Sequence, residues 1–458
     1  KFLEPPHFKM EDIRTVTKLI KPDSWFTTID LKNAYFLISV AQPYQKYLRF
    51  QQNNVLYEFT CLPFGLSVAP YIFTKIMKPV LRILRTNGIL CVNYLDDFLI
   101  IADTKLNCIS KTSFTIRLLE SLGFLVNWSK SVIVPSQQVK FLGFQLCSQS
   151  MTLSLPRLKQ NRLRETIHTV MKRKTLSIRD VAQLLGVLIS SCPAIKYSWL
   201  YTKPLERDKL LALRSSSYHY GAKMQLSPTA ITDLHWWLHH LATSNPIPRD
   251  QFDLEIFTDS CLTGWGAYCE GERTNGWWPL EVSRDHINVL ELRAIFYGLQ
   301  SFAKTQSSIT VLIRSDNSTA ISYINRMGSV QHPTLSQLAR TIWQWCEERD
   351  IWLYASYVSS ASNYLADFES RKLPDDTEWS LSASAFTQII TKYGPPELDL
   401  FASYGNAKCR TYISWRPDPE SVAVDAFTIS WSNHRFYAFP PFSLILRALN
   451  KIIRDKAE

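Results

Sequence analysis

No run of eighteen apolar residues occurs in this 458-residue chain, so no membrane-spanning helix is expected. Its nine cysteines contain no Cys-x-x-Cys pair. An odd count at scattered spacings argues against a disulfide frame or a zinc module and for reduced intracellular thiols. The opening residues Lys1-Phe2-Leu3-Glu4-Pro5-Pro6 lack signal-peptide architecture, and a nuclear or cytoplasmic location, not secretion, is the expectation. Internal repeats and low-complexity tracts are also missing. What is present is apolar content of 46%, enough for a substantial core, and a length that suggests about three domains.

The formal charge of +11 is unevenly spread. Between Arg157 and Arg214 stand thirteen Lys or Arg against the four acids Glu165, Asp180, Glu206 and Asp208, a local excess of +9. Such a segment suits the phosphates of a duplex, with Lys172, Arg173 and Lys174 as candidate contacts; a set of solvated helix faces is the alternative. Helical periodicity is visible in Ser177 to Ile189, opened by a Ser-x-x-Asp capping box, and again from Ser227-Pro228 through Ile231, Leu234, Leu238 and Leu241. On the second helix His235 and His239 lie four apart, a spacing that suits a metal, but without a partnering Cys or acid pair packing beside Trp236-Trp237 is the better reading.

Two adjacent carboxylates mark the N-terminal third. Asn93-Tyr94-Leu95-Asp96-Asp97-Phe98 lies between the apolar runs Ile89-Leu90-Cys91-Val92 and Leu99-Ile100-Ile101, which read as two short strands with the acids at their junction. Burying two anions side by side is costly unless a cation neutralises them, although a solvated turn would also carry such a pair. Upstream, the alternating segment Trp25 to Phe36 reads as a strand that delivers Asp30, a third acid. Two hard cations held about 3.5–4 Å apart by such carboxylates suit in-line phosphoryl transfer. Between these acids, Cys61 to Pro70 is a Gly/Pro-punctuated turn opening into a helical pattern, with Gly65 permitting close backbone approach.

In order, Asp30 with Ala34-Tyr35, Leu62-Pro63-Phe64-Gly65, Tyr94-Leu95-Asp96-Asp97, Gly123-Phe124 with Asn127 and Lys130, and Phe141-Leu142-Gly143 resemble the palm motifs of retroelement reverse transcriptases. The resemblance implies that Asp30, Asp96 and Asp97 bind two Mg²⁺ or Mn²⁺ ions. It also implies that Tyr35 excludes a 2′-hydroxyl, that Phe64 and Gly65 contact the templating pair, that Lys130 protonates pyrophosphate, and that Phe141, Leu142 and Gly143 grip the primer. Ordinary core packing for Tyr35 and Phe64, and a solvated role for Lys130, stay open. The implied partners are an RNA template, a DNA primer, an RNA/DNA hybrid and deoxynucleoside triphosphates.

A second acid set follows. Leu254 to Ser260 is an alternating strand that carries Asp259, and Gly264 to Tyr268 reads as its hairpin partner. Asn288 is expected to cap a helix bearing Glu291 on its first turn, Ser308 to Asn317 to form a strand ending at Asp316, and Asp367 to follow in Asn363 to Arg371. Asp259, Glu291, Asp316 and Asp367 resemble the ribonuclease H metal site, which implies two Mg²⁺ or Mn²⁺ ions and hydrolysis of the RNA strand of a hybrid. Relatives usually carry a histidine before the last aspartate, where this chain has Tyr357-Val358-Ser359-Ser360. Asn33 is a second departure, standing where many relatives have aspartate.

Beyond a linker expected around Leu373-Pro374-Asp375-Asp376, the segments Glu397 to Ser403, Asn406 to Cys409, Asp425 to Phe427 and Tyr437 to Ser443 resemble phage-type DNA adenine methyltransferases. Phe439 stands where those enzymes need Asn or Asp to hydrogen-bond the target amino group, so a degenerate remnant is expected. The order of the three parts resembles DIRS-type, tyrosine-recombinase retrotransposons, and more distantly Gypsy-type and hepadnaviral polymerases.

The expected fold is an α+β polymerase palm, an antiparallel sheet with helices, at 1–150. A helical thumb and connection at 151–250, an α/β ribonuclease H-like domain at 251–372 and a partial α/β methyltransferase-like segment at 373–458 follow. The resemblance places a fingers subdomain before Lys1. Two functions are therefore weighed: an RNA-directed DNA polymerase with ribonuclease H activity, and a nucleic-acid-binding relic that retains the fold and at most the ribonuclease H activity.

Overall fold

The computed structural model describes residues 6–247, 251–279, 281–372, 380–432 and 434–457. The linker expected at Leu373-Pro374-Asp375-Asp376 lies outside them. The chain divides into two compact units, 1–248 and 249–458, and is a mixed α/β protein. Among the described residues, no helix is long and apolar enough to cross a membrane.

In the first unit, β1 (Trp25–Lys32) is the centre of an antiparallel sheet. The hairpin β2 (Arg49–Gln52) and β3 (Val55–Glu58) stands apart from it. β4 (Leu90–Tyr94) and β5 (Asp97–Ala102) form the expected apolar hairpin, and β5 pairs with β1 in a register that sets Asp30 opposite Asp97. β6 (Leu125–Val126) and β7 (Val132–Ser136) also pair with β1. Alternation explains the core: Ile29 and Leu31 from β1 and Phe98 and Ile100 from β5 pack on Phe73, Met77 and Leu84 of the helix Ala69–Thr86. That helix begins at the Gly/Pro turn, with Pro70 in its first turn, where a missing N–H costs nothing.

β8 (Gln138–Phe141) and β9 (Phe144–Cys147) are joined by Leu142 and Gly143, both at positive φ (48° and 77°), the geometry of a tight two-residue hairpin. β10 (Thr152–Ser154) continues this sheet, and β11 (Leu176–Ser177) pairs with β12 (Lys223–Met224). β13 (Ser244–Pro246) closes the β8–β10 sheet. The helices Arg157–Met171, Ile178–Ser191, Lys203–Ser215 and Pro228–His240 lie between, and the capping box at Ser177 and Asp180 is formed in both directions.

The second unit is built on β14 (Leu254–Ser260), β15 (Gly264–Cys269), β16 (Glu272–Trp277), β17 (Thr310–Ser315) and β18 (Trp352–Tyr357), in the order β16-β15-β14-β17-β18. β14, β17 and β18 run parallel, while β15 and β16 form an antiparallel meander with β14. The helix Ile287–Phe302 packs on β14 and β15 through Leu290, Ala294 and Tyr297. It is capped by His286, whose side chain accepts the N–H of Asn288, so Asn288 is not the cap and Glu291 falls on the second turn. The Asn288 amide oxygen instead accepts Asn317 Nδ2 at 3.0 Å.

A smaller lobe follows, with β19 (Leu398–Asp399), β20 (Thr411–Ser414), β21 (Ala423–Val424) and β22 (Phe436–Tyr437) all parallel in the order β21-β20-β19-β22. Its core gathers Leu398, Leu400, Ile413 and the fully buried Trp431 under the helix Ile445–Asp455.

Candidate functional site

In the first unit, Asp30 sits near the end of β1 and Asp97 opens β5 directly across from it. Asp96 lies in the intervening turn, where Leu95 adopts a positive φ of 55°. The turn is braced: Asn93 Nδ2 donates to the Leu95 carbonyl at 2.7 Å, and the Leu31 N–H donates to the Asp96 carbonyl at 2.9 Å. The backbone of Asp30 is fixed by its own N–H donating to Ser131 Oγ at 3.0 Å and by its carbonyl accepting the Asn127 N–H at 2.8 Å.

Burial first, then the charges of Asp96 and Asp30, push the Asp97 carboxyl up to about 6, while Lys130 opposes the shift. Asp96 is also raised, mainly by burial, with Asp30 adding and Lys130 opposing. Lys130 is exposed and is the cation these acids sense. The three carboxylates do not close into a tight cluster, because among the described residues the group of metal-capable side chains within 4.8 Å of one another lies elsewhere. Each carboxylate here repels the next, and the hairpin register fixes the backbones rather than the side-chain oxygens.

Tyr35 follows β1 in a short 3-10 turn, its ring 5.1 Å from Phe64 and 5.3 Å from Phe73. Burial, with the nearby Asp96 charge second, raises its phenol. It therefore both packs and faces the acids. Phe64 is exposed beside Gly65, which has a positive φ of 85°. Phe141 is buried beside the turn of the β8–β9 hairpin, paired with Phe144, with Leu142 and Gly143 at its tip. Lys172, Arg173 and Lys174 are exposed in the turn after the helix Arg157–Met171, where Arg173 lies 3.9 Å from Asp180.

The second unit holds the tight cluster, with one ligand atom each from Asp259, Glu291 and Asp316 within 4.8 Å of one another. Asp259 comes from β14, Asp316 from the residue after β17, and Glu291 from the helix across the sheet. Asp259 and Glu291 are each 4% exposed. Burial, followed by the charges of Asp259 and Asp316, pushes Glu291 up to about 9, and burial pushes Asp259 up to about 6 against the opposing Ser370 hydroxyl.

Serines hold the two aspartates. Ser370 Oγ donates to Asp259 Oδ2 at 2.6 Å, and Ser360 Oγ donates to Asp316 Oδ2 at 2.6 Å. Glu291 Oε2 is buried without a hydrogen-bond partner. A buried, unpartnered carboxylate oxygen among two further acids fits a divalent cation, which would remove the mutual repulsion and complete the coordination.

Asp367, the fourth acid, lies on the helix Tyr364–Ser370 outside this trio. Its Oδ1 is held by Arg371, with Nη2 at 2.7 Å and Nε at 2.8 Å. It still reaches the site through space, since its charge contributes to the raised Asp259. The Arg371 fork competes for the oxygens that a second cation would use.

Residues that the sequence did not single out complete the site. Gly266 on β15 is so close to the helix Tyr364–Ser370 that an added Cβ would lie 2.4 Å from the Ala366 carbonyl oxygen and the Ser370 nitrogen. Cys261 Sγ donates to the Ser370 carbonyl at 2.9 Å, and Asn363 Nδ2 donates to the Thr258 carbonyl at 3.0 Å. These contacts bind the helix that carries Asp367 and Ser370 to the strand that carries Asp259.

Residues 1–146 match the family profile of reverse transcriptase (RNA-dependent DNA polymerase). The chain is 26% identical over 152 residues to the Transposon Tf2-3 polyprotein and, at the same level, to the Transposon Tf2-4 polyprotein of Schizosaccharomyces pombe (strain 972 / ATCC 24843). Each match covers 33% of this chain and 11% of the polyprotein, so the matched part is about a tenth of those relatives' length. Among solved structures, the foamy viral protease-reverse transcriptase in complex with RNA/DNA hybrid aligns at a TM-score of 0.46 and 16% identity, covering 82% of this chain and 48% of that chain. The same protein in complex with dsDNA aligns at 0.46 and 17%, covering 81% and 73%. By the family and polyprotein matches, residues 1–146 carry a reverse transcriptase domain of the kind found in retroelement polyproteins.

Proposed function

We propose that this chain is an RNA-directed DNA polymerase with ribonuclease H activity from a retrotransposon. The observation that carries the polymerase half is the facing of Asp30 and Asp97 across the β1–β5 ladder, with Asp96 in the turn, inside the segment that matches reverse transcriptases. The nuclease half rests on the convergence of Asp259, Glu291 and Asp316 on the mixed sheet.

Two Mg²⁺ or Mn²⁺ ions at each acid set would supply the Lewis acidity that activates the attacking oxygen and stabilises the leaving one. The chain's own residues do the rest. Asp30, Asp96 and Asp97 orient the primer end, Tyr35 walls the sugar, Phe64 and Gly65 support the templating pair, and Lys130 holds a proton for the departing pyrophosphate. Phe141, Leu142 and Gly143 steady the primer. In the second unit Asp259, Glu291, Asp316 and Asp367 orient the water and the scissile phosphate of the RNA strand. Lys172, Arg173 and Lys174 take duplex phosphates, the template is RNA, and the triphosphates are deoxynucleotides. The element is of the DIRS type, and the 373–458 segment is a degenerate methyltransferase-like remnant.

A second reading, a nucleic-acid-binding chain with nuclease activity alone, is favoured by one observation: Asp259, Glu291 and Asp316 close to within 4.8 Å of one another, while Asp30, Asp96 and Asp97 do not. One preparation assayed two ways separates them. Primer extension on an RNA template should be abolished by Asp96→Asn, and cleavage of a labelled RNA/DNA hybrid by Asp316→Asn, each by orders of magnitude. Extension at the wild-type rate in Asp96→Asn removes the palm assignment. Cleavage indifferent to Asp316→Asn removes the nuclease assignment.

A further inference from the structure

We infer that the C-terminal lobe is a buttress for the helix that carries Glu291, with Tyr404 and Lys304 as positioning residues for the acid cluster. The inference rests on the reading of Asp259, Glu291 and Asp316 as a cation site.

The helix Ile287–Phe302 is seated from two sides. Toward the sheet, Gly298 lies so close that a Cβ there would come 3.0 Å from Thr258 Cγ2, one residue before Asp259. On the neighbouring position, the Tyr297 hydroxyl donates to the Tyr404 hydroxyl at 3.3 Å, and the two rings are 5.3 Å apart. Tyr404 packs against the cluster of Trp265, Trp278, Leu290, Ala294 and Tyr297, and Leu290 is the chain neighbour of Glu291. Just past the helix end, Lys304 Nζ donates to the Ser421 carbonyl at 2.8 Å and to the Pro419 carbonyl at 3.3 Å. Thr274 Oγ1 on β16 donates to the Pro417 carbonyl at 2.5 Å. Loops of one lobe therefore hold both the helix and the far edge of the sheet on which it rests.

Electrostatics gives these contacts a purpose. Three carboxylates within 4.8 Å repel one another once all are ionised, as holding a cation requires, and Glu291, alone among them, is mounted on a helix rather than on or beside a strand of the sheet. Repulsion therefore pushes that helix away from β14. Tyr404, packed against both Tyr297 of the helix and the Trp265 cluster of the sheet, ties the two together and resists the displacement, and the Lys304 tie fixes the helix end. The lobe thus keeps the three oxygens at cation-binding separation.

The test uses the full chain with Tyr404→Ala, Tyr404→Phe and Lys304→Met. Mn²⁺ affinity is measured by calorimetry, each variant in an Asp96→Asn, Asp97→Asn background that removes the palm acids, and amide exchange is followed across residues 288–292. Tyr404→Ala should weaken Mn²⁺ binding about 10-fold, as expected for removal of a residue that supports a ligand, and should speed exchange in that segment. Tyr404→Phe retains the ring and should bind within about 3-fold of wild type, because only a long hydroxyl contact is lost. Lys304→Met should also weaken binding. If hybrid cleavage is present, saturating Mn²⁺ should restore most of the Tyr404→Ala rate, which a general loss of fold would not allow.

Unchanged Mn²⁺ affinity in a folded Tyr404→Ala protein overturns the inference. Should that variant fail to fold, unchanged affinity in Lys304→Met overturns it equally. A wild-type chain that binds Mn²⁺ but cuts no hybrid sinks the nuclease reading and leaves the affinities to decide the buttress; one that binds no Mn²⁺ sinks both.

Discussion

At the scale of single residues, Asp97, Asp259 and Glu291 are destabilised as anions, and that has a direct consequence for stability. Folding raises Asp97 and Asp259 from an ordinary 3.8 to about 6, and Glu291 from 4.5 to about 9, chiefly by burial. A carboxyl raised on folding favours the protonated native state. Its contribution is fully present below the unfolded value, near 4, and is lost as pH climbs through the folded value. In EDTA, the melting temperature should therefore fall as pH rises from about 4 through about 9, in the range these three groups set. Mn²⁺ should flatten the upper part of the curve by binding the ionised cluster. A melting temperature that rises over this range in EDTA contradicts the assigned burial. Ser370 offers a finer probe: Ser370→Ala removes the 2.6 Å hydrogen bond to Asp259, a loss of about 1.5–3 kcal/mol for a bond to a charged group. Urea denaturation in saturating Mn²⁺, where Asp259 is ionised, should show that loss. Denaturation at about pH 4, where the carboxyl is protonated and the bond is neutral, should show a smaller one.

At the scale of elements, several strands were legible from their apolar patterning. Trp25–Lys32 and Leu254–Ser260 follow from alternation, and the two arms of the Asp96-Asp97 hairpin from continuous apolar runs that are buried on both faces. The capping box at Ser177 was legible for a similar reason, since its partner is three residues away. Ser360 and Ser370 were not. Their partners are 44 and 111 residues distant, and a serine in a loop or helix carries no local sign of a carboxylate opposite it. Gly266 was hidden too, although it decides how closely the helix Tyr364–Ser370 approaches β15. Gly266→Ala sets a methyl 2.4 Å from two backbone atoms of that helix, neither of which is a flexible side-chain end. Overpacking of this kind costs about 1–3 kcal/mol, and the helix should move outward and carry Ser370 away from Asp259. Denaturation with circular dichroism measures the first effect and Mn²⁺ titration the second. A variant with wild-type stability and affinity would mean that this approach is looser than described.

At the scale of the whole chain, composition located a cationic segment without revealing what its charges do. Most of the excess charge of +11 lies in the +9 of residues 157–214, and the structure puts Lys172, Arg173 and Lys174 in one exposed turn. Arg173 sits 3.9 Å from Asp180, but both side chains are well exposed, and such a pair contributes little in water. Arg173 therefore stays available to a phosphate at little cost. Each phosphate neutralised on a duplex adds about 0.9 to the slope of log K against log salt, because a condensed counterion is released. If all three side chains meet an RNA/DNA hybrid, replacing them together with Ala should make that slope shallower by about 2–3 and weaken binding most at low salt. Anisotropy of a labelled hybrid, titrated at several KCl concentrations, reads both quantities. Mutating the solvated face of a helix would leave the slope where it was, and that outcome would assign these three residues to solvent rather than to the nucleic acid.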